Sequence, residues 1–271
     1  MFPVLISWRG FHLYTYGVLV ALGVAAGFWL LRREAGKEGI SPQRAADVAF
    51  WSVVAGLIGA RLVFVLLHWS DYSSSPLKAL KFWEGGLVFY GGVIPGVLVA
   101  LWLIRRWALP LWKSLDVAAP SLALGHAIGR LGCFSAGCCY GKPTDLPWGV
   151  VFSDPRSLAP LGVKLHPTQL YSALGLFGIF SLLLWLRRRG GFPGQVFFVY
   201  LGLYSAFRFL VEFVRGDPRT TLFWGLSHNQ VVMAVLFVLS VIMLSYLKRN
   251  EAHPDLPPSR PPEKGGGDPE D

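Results

Sequence analysis

Residues 125–141, GHAIGRLGCFSAGCCYG, hold a histidine and an arginine four positions apart, all three cysteines of the chain, and five glycines. The four-residue spacing puts His126 and Arg130 on one face of a helix, and Cys133, three further on, shares that face. A second stretch, YLGLYSAFRFLVEFVRGDPR, carries Tyr204, Arg208, Glu212 and Arg215 at spacings of four, four and three, a polar stripe on an otherwise apolar helix. Arg208 and Glu212 can pair, which lowers the cost of burying either one. A single arginine near the end of an apolar helix can snorkel to the interface. Two on different segments point instead to an anion between them. The planar guanidinium grips phosphate oxygens bidentately, and at membrane depth the obvious phosphate belongs to a lipid.

The elements that carry these residues are apolar. The chain is 53% hydrophobic and only 15% charged, with a mean hydropathy of +0.47, whereas a soluble domain has about 25% charged residues. Several apolar runs reach the roughly 20 residues needed to cross a bilayer as a helix. The net charge of +9 does not indicate nucleic acid, because the basic residues are dispersed at the ends of apolar segments without interleaved aromatics. The sequence predicts an all-α integral membrane protein with seven transmembrane helices, near residues 14–31, 49–67, 87–104, 115–133, 169–186, 195–214 and 230–247. The longest external loop joins the fourth and fifth, at about residues 134–167, and contains Pro143, Pro147, Pro155 and Pro160.

Charge sets the expected orientation. Arg32, Arg33, Lys37 and Arg44, then Arg105, Arg106 and Lys113, then Arg187–Arg189, then Lys248 and Arg249 cluster tightly at span ends on one side. The other side holds the sparser Arg9, Lys78, Lys81, Lys142, Arg156, Lys164, Arg215 and Arg219. The positive-inside rule places the N-terminus outside and the C-terminus in the cytoplasm. For a bacterium this means the cytoplasmic (inner) membrane. The first apolar segment lacks a convincing cleavage site and reads as a retained signal anchor. Residues 70–83, with Trp69, Tyr72, Phe82 and Trp83 in or beside them, suggest a short interfacial element. Residues 1–249 are expected to form one transmembrane catalytic domain. Residues 250–271, rich in Pro, Gly and charge, are expected to form a disordered cytoplasmic tail. No internal repeat is visible, which weighs against a transporter built from paired halves.

Other stretches add candidates. His166-Pro167-Thr168-Gln169-Leu170-Tyr171 opens the fifth span as a polar entry with Pro tolerated in the first turn. Trp83–Gly92, WEGGLVFYGG, flanks Tyr90 with glycine pairs that serve either close packing or a substrate groove. Arg61 is another embedded cation, available for lipid phosphate or for an acidic partner. The cysteines leave three readings open. Cys133 could join Cys138 or Cys139 in an external disulfide, the preferred one. All three could be reduced and simply small and apolar. Metal binding is the least favoured, since the C-x-x-C repeat of zinc ribbons is missing.

Taken in order, Tyr16-Gly17, GGLVFYGG, GRLGCF, HPTQLY and RFLVEFVR resemble the prolipoprotein diacylglyceryl transferase family, over nearly all of residues 8–247. The resemblance implies transfer of the diacylglyceryl group of phosphatidylglycerol to the thiol of a lipobox cysteine in a preprolipoprotein signal peptide. Glycerol phosphate is released, and neither metal nor organic cofactor is implied. It also implies that Arg130 and Arg208 clamp the phosphate and that Glu212 orients Arg208. Tyr16, Tyr204, Arg61, Gly91 and Gly92 would line the lipid site. The chain departs from the family pattern at four places: Tyr90 stands where many members have His, Cys133 where many have Asn, and Cys138 and Ser172 where many have Glu. A tyrosine with an ordinary pKa of about 10 is a poor base, so the role of the family's histidine passes, on this reading, to His126 or His166. Alternatively, leaving-group stabilisation by the arginines dominates. The departures also admit a paralogous transferase with another acceptor, or a non-enzymatic lipid carrier.

Overall fold

The structure, a computed structural model, describes residues 3–8, 11–73, 76–80, 85–217 and 225–252. An antiparallel hairpin, β1 (Val4–Trp8) and β2 (Phe11–Tyr14), leads directly into α1 (Thr15–Lys37). Then follow α2 (Pro42–Leu67), the single-turn α3 (Trp69–Tyr72), a 3-10 turn at Pro76–Leu80, α4 (Phe89–Arg106) and α5 (Leu111–Ala136). Two short strands, β3 (Val150–Val151) and β4 (Lys164–Leu165), precede α6 (Thr168–Arg189), α7 (Gln195–Glu212) and α8 (His228–Ala252). The expected interfacial element is therefore two short turns, and residues 81–84 lie outside the described residues. The helix α8 runs to Ala252. The rest of the expected tail also lies outside the described residues.

Six helices, α1, α2, α4, α6, α7 and α8, are long and apolar enough to cross a membrane, which makes this a multi-pass membrane protein. Seven spans were expected from the sequence. The remaining helix, α5, has the length at 26 residues but carries Lys113, Asp116, His126 and Arg130. The physical reason lies in its position. It packs on α1, α6 and α7 together, so its polar groups meet protein. Asp116, for example, accepts from the backbone N–H groups of Gly194 (2.6 Å) and Phe197 (2.8 Å), satisfying the otherwise unpaired donors at the start of α7.

Glycine determines how closely the helices approach. A Cβ at Gly125 of α5 would lie 3.0 Å from the Gly23 carbonyl oxygen of α1, and one at Gly27 would lie 3.2 Å from that of Ser121. The pair α2 and α4 repeats the pattern, with Gly56 and Gly92 each facing the other's carbonyl at 3.2 and 3.0 Å. In lipid, where apolar burial gives little drive between helices, such backbone-to-backbone packing is what holds spans together.

The connection between α5 and α6 folds into a cap. The β3–β4 pair and the bridges Pro143–Leu165, Phe152–Leu161 and Gly141–Arg215 tie it together. Phe152, Ala159 and Leu165 are buried at its centre, with Phe134 and Tyr140 packed against them. This gives the long connection between α5 and α6 a core of its own.

Candidate functional site

The site is built on facing surfaces of α5 and α7. Arg130 donates from Nε to His126 Nε2 at 3.2 Å, along one face of α5 as the four-residue spacing predicts. A guanidinium has only donors, so His126 Nε2 is the unprotonated acceptor and Nδ1 carries the proton. The His126 ring sits 5.3 Å from that of Tyr204 on α7, which in turn stacks on Tyr200 at 6.0 Å. Arg130 and Arg208 both lie close enough to His126 to interact with it electrostatically. The two arginines thus converge across the helix pair.

Arg208 is buried and forms an ion pair with Glu212, one turn on, at 2.5 Å. Glu212 is held from its other side by Ser227 Oγ at 2.9 Å and Asn229 Nδ2 at 3.3 Å, which tie the end of α7 to the start of α8. Glu212 engages Arg208 through Nη1. Among the described residues no hydrogen-bond acceptor meets Nε or Nη2 of Arg208, or Nη1 or Nη2 of Arg130. Two guanidinium groups with donors to offer, one anchored by a carboxylate and one by an imidazole, form an anion-binding arrangement.

Beyond Arg130, the three cysteines come together. Their sulfur atoms all lie within 4.8 Å of one another, and none is in a disulfide. Gly137, at φ +74°, ends α5 in a left-handed turn, and Cys139 itself sits at φ +60°. The HPTQ stretch, which the sequence presented as a helix entry, clamps this turn. Thr168 Oγ1 donates to Cys139 O at 2.6 Å and Gln169 Nε2 to Cys138 O at 2.7 Å. Both residues are 1% exposed, and these carbonyls satisfy the Thr168 hydroxyl and the Gln169 amide nitrogen there. Arg215, buried and held bidentately by Asp217 at 2.9 and 2.8 Å, lies against Cys139. Thiol hydrogen bonds from Cys133 and Cys138, with the Arg215 cation beside them, hold Cys139 below the ordinary thiol range. The reciprocal bonds to Cys133 and Cys139 push Cys138 above it. Tyr16 rests on Gly132, whose Cβ would meet its ring at 3.3 Å, and is within electrostatic reach of Arg130 and all three thiols.

Other sequence candidates go elsewhere. Arg61 donates from Nε to Ala79 O (2.8 Å), from Nη1 to Gly85 O (2.6 Å) and Gly86 O (3.2 Å), and from Nη2 to Lys78 O (3.0 Å). It staples the chain between α2 and α4. Gly91 and Gly92 face Val63, Gly59 and Gly56 of α2, which is a packing role. Tyr90 is 46% exposed beside Phe89 at the start of α4. His166 Nδ1 bonds the Tyr171 hydroxyl at 3.2 Å, and that hydroxyl accepts from Trp148 Nε1 at 2.8 Å. His166 therefore belongs to the cap. Ser227 and Asn229, which hold Glu212, carried no signal in the sequence, because that partnership is fixed only when α7 and α8 pack. The helix α7 ends at Glu212, so Arg215, expected on the same helical stripe, instead turns aside to Asp217.

Fold and geometry together define a multi-pass membrane protein in which two arginines converge between two packed helices. The family model described as prolipoprotein diacylglyceryl transferase matches residues 3–246. The phosphatidylglycerol–prolipoprotein diacylglyceryl transferase of Clostridium tetani is 35% identical over 245 residues, 90% of this chain and 97% of its own length. That of Finegoldia magna is 36% identical over 249 residues, covering 91% and 96%. That of Thermosynechococcus vestitus is 37% identical over 228 residues, covering 83% and 84%. The chain belongs to the prolipoprotein diacylglyceryl transferase family.

Proposed function

We propose that this chain transfers the diacylglyceryl group of phosphatidylglycerol to the lipobox cysteine thiol of a preprolipoprotein and releases glycerol phosphate. The observation that carries the reading is the family match over residues 3–246 on a chain whose α5 and α7 bring two arginines together. The acceptor thiol gives its proton to water, its sulfur bonds the terminal carbon of the diacylglyceryl group, and the C–O bond to phosphate breaks with its electron pair on the phosphate oxygen. Arg130 and Arg208 bind the phosphate and stabilise the charge that develops as it leaves. Glu212 keeps Arg208 aimed, and Tyr16 and Tyr204 line the lipid.

His126, with its one acceptor nitrogen engaged by Arg130, acts as the orienting partner of that arginine. Tyr90, His166, Arg61, Gly91 and Gly92 support the site from outside it, through the α2–α4 pair and the cap. The helix α5 serves as the seventh span, enclosed by its neighbours. The basic clusters support an N-terminus outside and a C-terminus in the cytoplasm of a bacterial inner membrane. Residues 1–249 act as one catalytic unit.

The test is the mass of a synthetic lipobox peptide incubated with purified protein and phosphatidylglycerol. A diacylglyceryl-sized gain is expected with the wild type, reduced about 10²–10³-fold in rate with Arg130→Ala. Folded wild-type protein that produces no gain would overturn the reading.

A further inference from the structure

The cysteine cluster stands where the family resemblance leads one to expect an asparagine and a glutamate, and it has the features of a built site. Cys133 comes from the last turns of α5, while Cys138 and Cys139 come from the turn beyond its cap. The backbone of that turn is fixed from both sides. Thr168 and Gln169 hold the carbonyls of Cys139 and Cys138, and Gly216 N donates to Tyr140 O at 3.0 Å. Three sulfurs within 4.8 Å of one another need to contract by less than about 1 Å to reach the separation of roughly 3.8 Å set by three Zn–S bonds of 2.3 Å. The donor set is all sulfur, which suits a thiophilic d10 ion and not a hard one such as Mg2+ or Ca2+. Three thiolates and a divalent ion leave a net negative charge, and Arg215 beside Cys139 and Arg130 near Cys133 offset it.

We propose that Cys133, Cys138 and Cys139 bind one thiophilic divalent ion of the Zn2+ class, with its fourth position open to the acceptor thiol. Three protein ligands plus one exchangeable position is the arrangement of catalytic rather than structural zinc. The second half of the proposal rests on the transferase reading. It rests also on Tyr16, which neighbours both the thiols and Arg130 and so joins the two groups into one site. On entering the fourth position the acceptor thiol gives its proton to water, because a metal-coordinated thiol is deprotonated. The metal-bound sulfur then supplies the electron pair for the new S–C bond, while the pair from the breaking C–O bond goes to the phosphate oxygen held by the arginines. This supplies the thiolate in a chain whose third-span position carries Tyr90 and whose His126 nitrogen is engaged.

The experiment uses full-length, reduced protein in detergent, titrated with Co2+ as a spectroscopic stand-in. One equivalent should raise a thiolate-to-cobalt charge-transfer band that Zn2+ abolishes, and Cys133→Ser, Cys138→Ser and Cys139→Ser should each weaken it. Wild-type protein alkylated at its thiols serves as a control if a variant fails to fold. A lipobox peptide should shift the band, and the same peptide with serine in place of cysteine should not. Absence of a band in folded, reduced wild type overturns the site. So does native protein isolated with two of its three thiols joined, since a disulfide removes two ligands. A band that no thiol peptide shifts overturns the acceptor role. A band and a shift from protein that never modifies the peptide sinks the transferase reading and leaves the metal site standing.

Discussion

Arg130 Nε donates to His126 Nε2 at 3.2 Å, so the one lone-pair nitrogen of the imidazole is committed to the Arg130 guanidinium. The sequence placed these two residues on one face and suggested His126 as a base. On the proposed reading, the bond direction gives His126 a positioning role. His126→Ala should lower kcat for diacylglyceryl transfer by about 10²-fold through misplacement of Arg130. His126→Gln, which retains an acceptor oxygen, should recover most of it with an unchanged pH profile. A glutamine variant as slow as the alanine variant, and lacking the wild type's rate fall-off at acid pH, would return the base role to His126.

Glu212 counterbalances a buried arginine, and the pair is 8% and 3% exposed at its side chains. Glu212→Ala leaves Arg208 uncompensated and should destabilise the protein by about 3–5 kcal/mol, read as a lower unfolding temperature in detergent. Glu212→Gln keeps an acceptor oxygen for Ser227 Oγ but puts an amide N–H2 where Asn229 Nδ2 donates, and it should cost less stability than the alanine variant while slowing the reaction through a looser Arg208.

The α2–α4 interface depends on the missing side chain of Gly59, where a Cβ would strike the Gly91 carbonyl and the Pro95 ring. Gly59→Ala should cost about 1–3 kcal/mol by overpacking. Gly178→Ala on α6, where nothing lies within 4 Å, should leave the unfolding temperature unchanged or raised. Alanine is the better helix former at both positions, so an equal loss at Gly178 would mean that the loss at Gly59 does not come from its close packing.

Cys139 is held below the ordinary thiol range by hydrogen bonds from Cys133 and Cys138 and by Arg215. A depressed pKa keeps the thiolate populated as pH falls beneath the ordinary value of about 8.5. In reduced, metal-free protein, alkylation of Cys139 should therefore stay rapid at pH 7, where Cys138, pushed the other way, is slow. Arg215→Ala should move the Cys139 profile to higher pH. Mass mapping of the alkylated peptides at several pH values reads both effects.

Much of this protein is decided by local pattern. Apolar runs of spanning length mark the helices, and four-residue spacing alone sets Arg130 with His126 and Arg208 with Glu212, because a helix turns every 3.6 residues wherever it sits. The family motifs follow the same local logic and carry the reaction. Long-range pairing is different in kind. Arg61 looked as fit for lipid phosphate as Arg130, yet the turn after α3 and the segment leading into α4 give it four carbonyl contacts, from Lys78, Ala79, Gly85 and Gly86. Gly91 and Gly92 were equally suited to a substrate groove or a helix contact until α2 packed on them. The long connection after α5 showed no periodicity, yet it folds back so that Thr168 and Gln169 reach the turn of Cys138 and Cys139 some thirty residues earlier. Only tertiary packing gathers three thiols into one cluster beside Arg215, since which distant groups share a buried space depends on how helices and cap close together.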